Sequence, residues 1–109
     1  MAIVDQSYFD WPELPEAPSE LNLDTSAGAV QLTWKVNAGH PKFISVDRRI
    51  GRAGTWHPVS KVPASATSFS DNIAVPRNEP TFYRVRAEND AGHSAYSNVA
   101  STLSAKPKS

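Results

Sequence analysis

Residues 83–98 read YRVRAENDAGHSAYSN, and the fold turns on whether this stretch is a reactive site or two strands and a turn. Thr81, Tyr83, Val85 and Ala87 alternate with Phe82, Arg84, Arg86 and Glu88. A period of two is that of a β-strand with one dry and one wet face. The charges therefore stand where alternation puts them. Asn89, Asp90, Ala91 and Gly92 make a hairpin connection in which Gly92 supplies a positive φ, and HSAYSNVAST returns as the partner strand.

The same period runs through the rest of the chain. Val30, Leu32, Trp34 and Val36 alternate with Gln31, Thr33 and Lys35, and Ile44 and Val46 alternate with Ser45 and Asp47. LNLDTS and TSFSD are shorter strands, SAGA and GRAG are turns, and TWHPVSKV is a strand whose Pro58 is tolerated only at an edge or a bulge. Seven short strands at this spacing, with no sustained helical period, predict two packed antiparallel sheets. The expected dry layer holds Val30, Leu32, Trp34, Ile44, Val46, Tyr83 and Val85.

The 109 residues suit one domain, and eleven bases cancel eleven acids, so bulk charge does not favour nucleic acid or an anionic membrane. The distribution is uneven. Residues 1–20 hold five acids and no Lys or Arg, residues 21–105 hold nine bases and six acids, and Lys106 and Lys108 follow. There is no cysteine, hence no disulfide and no thiol chemistry. No apolar run approaches the ~20 residues of a membrane span. The N-terminus lacks the basic and apolar regions of a signal peptide; with Met1 as the natural start, export by the usual route is not expected.

Residues 1–17 form a separate piece. Pro12, Pro15 and Pro18 recur every third residue, which favours an extended, polyproline-like course. Ile3, Val4, Tyr8, Phe9, Trp11 and Leu14 give this arm more apolar surface than an inert linker needs. It either folds back on its own domain or docks on a protein partner through those six residues, with Tyr8, Phe9 and Trp11 as anchors.

Four stretches, taken in order, resemble a fibronectin type III domain over residues 17–103: LTWKV around Trp34; ISVDRR followed by TWHPVSKV; ATSFSD; and YRVRAENDAGHSAYSNVAS. The resemblance implies an all-β, seven-stranded, antiparallel immunoglobulin-like sandwich over residues 18–103, with an extended N-terminal arm before it and a basic tail at 104–109. The place of the family's corner tyrosine falls on Thr81, with Tyr83 two residues later. The NDAGHS loop carries no Arg-Gly-Asp, so integrin binding of that kind is not implied.

No chemistry is evident. His40, His57 and His93 share no metal spacing, no Gly-x-Ser-x-Gly elbow or phosphate loop occurs, and the carboxylates are scattered. No cofactor, metal or catalytic residue is expected. Arg48, Arg49 and Arg52 form a small basic cluster, read not as a nucleic-acid patch but as solvated strand and turn residues at Arg49 and Arg52, with Arg48, on the Ile44 and Val46 face, at the sheet edge with its stem packed. Trp56, Tyr96, Arg49 and Arg52 are candidate surface contacts, Trp56 and Tyr96 for protein or weakly for glycan, although the resemblance implies that Trp56 packs over the edge of the core, and that is the expected role.

The resemblance implies a non-catalytic module. One setting is an accessory or decoration subunit of a larger assembly such as a phage virion, with a capsid or tail protein as partner. The other is a spacer cut from a secreted bacterial carbohydrate-active enzyme or a surface adhesin, where the partner is a domain of the parent enzyme. The expected location is accordingly a virion surface or the extracellular space.

Overall fold

A computed structural model describes residues 14–25, 29–72 and 78–103. The arm residues Ile3, Val4, Tyr8, Phe9 and Trp11, the SAGA turn and the basic tail fall wholly or partly outside that range. Leu14, the one candidate arm contact inside it, is 57% exposed.

The described residues form two antiparallel sheets. In one, β1 (Ser19–Asp24), β2 (Val30–Lys35) and β5 (Ser68–Asp71) lie in the order β1-β2-β5. In the other, β4 (His57–Pro63), β3 (Phe43–Ile50), β6 (Thr81–Asn89) and β7 (Gly92–His93) lie in that order, and β8 (Ala100–Ser101) also pairs with β6. The outward face of the second sheet follows from its register. Asp47 stands opposite Arg84, Arg49 opposite Phe82 and Ser45 opposite Arg86.

The core forms where the two inner faces meet. Val30, Leu32, Ile44, Val46, Tyr83, Val85 and Ala87 are fully buried, and Leu21, Leu23, Trp34 and Ala100 nearly so. This is the layer expected from alternation, and each large apolar side chain in it contributes about 1.5–3 kcal/mol by leaving water. Pro58 sits on the edge strand β4, opposite Asp47, where the register shifts after Val46. The proline thus removes a donor only where regular pairing is already broken.

Among the described residues there are eight strands rather than seven, because the last predicted strand is split. Residues 94–99 leave the strand conformation between β7 and β8. Two serines hold this segment to β6. The Val85 N–H donates to Ser97 Oγ at 3.1 Å and the Ala87 N–H to Ser94 Oγ at 2.9 Å. Ser97 N and Ser94 N donate back to the Val85 and Ala87 carbonyls at 2.8 Å each. Serines three apart therefore match backbone groups two apart, hydroxyls standing in for the missing carbonyls of a regular ladder.

The chain enters and leaves the sandwich at opposite poles. At one pole Glu16 N donates to Ala38 O at 2.9 Å, and Asn89 Nδ2 donates to Gly39 O at 3.0 Å. Gly39 has φ +103°, and a Cβ there would lie 2.6 Å from Pro15 Cα, so only glycine lets residues 14–18 seat here. At the other pole Thr102 N donates to Thr81 O at 3.0 Å. The nine residues of β6 separate the two poles, about 26 Å at ~3.3 Å per residue.

Candidate functional site: an arginine and aromatic face

The outward face of β3 and β6 gathers cations and rings into one row. Arg49 lies over Phe82 at 4.3 Å from the ring centroid and over Trp56 at 5.1 Å. Arg84 lies over Trp56 at 4.3 Å and over Tyr96 at 3.6 Å, and Arg86 lies over Tyr96 at 4.8 Å. Lys61 lies over Phe43 at 5.5 Å, toward the pole where the chain enters.

Three local features assemble this row. The antiparallel register sets Arg49 against Phe82. The turn after β3 brings back Trp56 just before β4. The serine-held segment places Tyr96 between Ser94 and Ser97, alongside Arg84 and Arg86. A guanidinium is weakly hydrated and flat, so a ring face suits it better than it suits an ammonium.

Carboxylates compensate the face only in part. Arg84 Nε donates to Asp47 Oδ2 at 3.2 Å, and Lys61 Nζ donates to Glu88 Oε1 at 3.0 Å. The Ser45 hydroxyl also donates to Glu88 Oε2. That hydroxyl, then Lys61, hold the Glu88 carboxyl below its ordinary value against the opposing effect of burial. Among the described residues neither Arg49 nor Arg86 forms an ion pair, and the Nε–H of each is buried without an acceptor.

Of the four candidate surface contacts, the structure brings Arg49, Trp56 and Tyr96 together; Arg52 is exposed in the turn beyond β3. Arg49 is half-buried against two rings, in contrast to the solvated strand residue expected from alternation. Arg84, Arg86 and Phe82 complete the row. Their strand position was legible, but their ring partners come from outside β6. Trp56 and Tyr96 are half-buried, and each carries two guanidiniums.

A second charged group closes one end of the core. The Tyr83 hydroxyl donates to Asp71 Oδ2 at 2.6 Å, and Arg48 Nη1 donates to the same oxygen at 2.7 Å. Burial first, then the bond to Asp71, push the Tyr83 phenol well above its ordinary range. Arg48 and Tyr83 belong to one sheet and Asp71 to the other, so this cluster ties the layers together. Thr81, at the place of the family's corner tyrosine, is fully buried, and its hydroxyl has no partner among the described residues.

A groove of about 650 Å³ runs along the β1 edge, lined by Leu21, Leu23, Gln31, Thr33 and Val99 among others, with Asp24 its one charged lining residue. Among the described residues no three His, Asp or Glu side chains gather as a metal site. His57 meets only Thr55 Oγ1, at 3.0 Å from Nε2, among the described hydrogen bonds.

No family model matches the chain. Solved structures do. Titin kinase and its flanking domains superpose with a TM-score of 0.70 at 25% identity, over 83% of this chain and 17% of that one. A pectate lyase from Pectobacterium carotovorum superposes at 0.66 and 25% identity, over 86% of this chain and 28% of that one. An Fn3-like protein from Clostridium thermocellum superposes at 0.62 and 24% identity, over 82% of this chain and 92% of that one. The chain therefore spans about a sixth of the titin kinase polypeptide and less than a third of the pectate lyase. The sheet order, the buried layer and these neighbours together give one answer: the chain has the fibronectin type III fold.

Proposed function

We propose that this chain is a non-catalytic structural and interaction module, which holds its two neighbours at a fixed separation and docks through its N-terminal arm. The observation that carries the reading is the placement of the poles. Residues 14–18 seat beside Ala38 and Gly39, residue 102 leaves beside Thr81, and β6 lies between. A sandwich threaded end to end transmits position along its strands, because its interior is close-packed and yields little. Ile3, Val4, Tyr8, Phe9, Trp11 and Leu14 supply the arm's contacts, large apolar groups being the usual anchors of protein interfaces.

Two settings fit this module: an accessory subunit of an assembly such as a virion, or a spacer in a secreted carbohydrate-active enzyme. The match to a domain-sized part of a pectate lyase favours the second. The test uses the absence of cysteine. Leu14→Cys and Leu103→Cys, both at exposed positions, carry a donor and an acceptor dye for single-molecule energy transfer. One narrow distance population, unchanged when folded domains are fused at both ends, is expected. A broad distribution, or two dyes close together, overturns the spacer reading.

A further inference from the structure

We propose that the outward face of β3 and β6, centred on Arg49, Arg84 and Arg86, is a docking surface for an acidic, extended protein segment. The inference goes beyond the spacer reading and does not depend on it.

Ordering comes first. A free arginine side chain loses rotamer freedom when it grips a ligand, and that loss weakens binding. Here each of the three guanidiniums is already stacked on at least one ring. A guanidinium held against a ring still has Nη N–H groups to offer, and a pair of N–H groups is the fork with which arginine meets a carboxylate.

Charge comes second. The whole chain is neutral, yet this face sets Arg49, Arg84, Arg86 and Lys61 against Asp47 and Glu88 alone in its ion pairs. Arg49 and Arg86 form no ion pair among the described residues, and their Nε–H groups are buried without an acceptor, which leaves the Nη groups to meet a ligand. A cation stripped of part of its hydration and lacking a counter-charge gains most from an incoming carboxylate.

Spacing comes third. Arg84 and Arg86 are two residues apart on one face of β6, about 6.6 Å. An extended peptide repeats its own side chains on one face at that interval. Arg49, opposite Phe82, carries the row to about 13 Å from Arg86. A strand with acidic residues at alternate positions meets the row in register.

The rings argue against other polyanions. Trp56 and Tyr96 each hold two guanidiniums, so they are not free to stack on a sugar ring or a base. Single-stranded nucleic acid depends on such stacking platforms.

The experiment is calorimetric titration of the full chain with a synthetic peptide of alternating Glu and Thr, beside an alternating Lys and Thr peptide, a polygalacturonate oligomer and a single-stranded DNA oligomer. Expected is binding of the Glu peptide only, about tenfold weaker when ionic strength rises from about 0.05 to about 0.5 M. The double variant R49Q/R86Q should lose at least tenfold in affinity, while R52Q, off the row, should bind as the parent does. Should R49Q/R86Q fail to fold, the parent is titrated by NMR, with shifts expected at the Trp56 indole and the Arg84 side chain. No binding of the Glu peptide overturns the proposal. So does equal or tighter binding of the sugar or DNA, full affinity in R49Q/R86Q, or shifts confined to the β1 groove.

Discussion

Asn98 and Leu21, 77 residues apart, close the free edge of the sandwich with one side chain. The Leu21 N–H donates to Asn98 Oδ1 at 2.9 Å, and Asn98 Nδ2 donates to the Leu21 carbonyl at 3.0 Å. A primary amide offers the donor and acceptor of a peptide group, so Asn98 acts as one rung of a missing strand between β1 and the last segment. Asn98→Ala leaves two backbone groups of a buried residue without partners and should cost about 1–3 kcal/mol. Asn98→Asp keeps the acceptor but loses the donor and should recover only part of that. Urea unfolding of the two variants checks the order; equal stability of N98A and the parent would contradict it.

Asp71, Tyr83 and Arg48 allow a graded test. Tyr83→Phe removes one hydroxyl and leaves the ion pair, and should cost about 1–1.5 kcal/mol. Asp71→Ala takes the shared acceptor from the Tyr83 hydroxyl and from Arg48 and should cost about 2–4 kcal/mol. The raised Tyr83 pKa also fixes an alkaline signature. The unfolded chain releases the phenolic proton near its ordinary value of 10.0 and the folded chain only above it. Stability from this group is therefore complete below pH 10 and declines above it. Unfolding curves of the parent and Y83F measured up to that range should converge as pH rises.

Glu88 predicts the acid limb. Its pKa is held below the ordinary 4.5 by the Ser45 hydroxyl and then Lys61. As pH falls, the unfolded chain takes up this proton first. The contribution of Glu88 to stability is thus complete above about pH 4.5 and fades as pH falls through the lower folded value. Urea midpoints of the parent and Glu88→Gln should differ by a constant above that pH and draw together below it. Two parallel curves would remove Glu88 from the acid limb.

Trp56 and Arg84 should be energetically coupled. Their centroid distance of 4.3 Å and the half-buried ring place the pair between exposed and desolvated cation–π contacts, about 0.5–2 kcal/mol. A double-mutant cycle of Trp56→Leu and Arg84→Gln measures that term directly. Because ring stacking depends on the ring's quadrupole and not on a counter-ion, the coupling should survive added salt better than the Arg84–Asp47 ion pair does. Additive single effects would mean that the two side chains merely lie side by side.

What the residues decided alone was each strand's inner and outer face. A strand turns every second side chain inward, and burial of Val30, Leu32, Ile44, Val46, Tyr83 and Val85 follows from that local periodicity. It also marked Pro58 as an edge or bulge residue. Only the tertiary structure decided the split of the last strand and the row of arginines and rings. Ser94 and Ser97 leave regular strand pairing because their hydroxyls, beside their own backbone amides, bond to the backbone of the adjacent β6. Arg49, Trp56, Arg84 and Tyr96 meet from four chain segments. Alternation specifies a direction, outward, whereas contact between two outward groups depends on the register and path of other segments, and no local pattern encodes these.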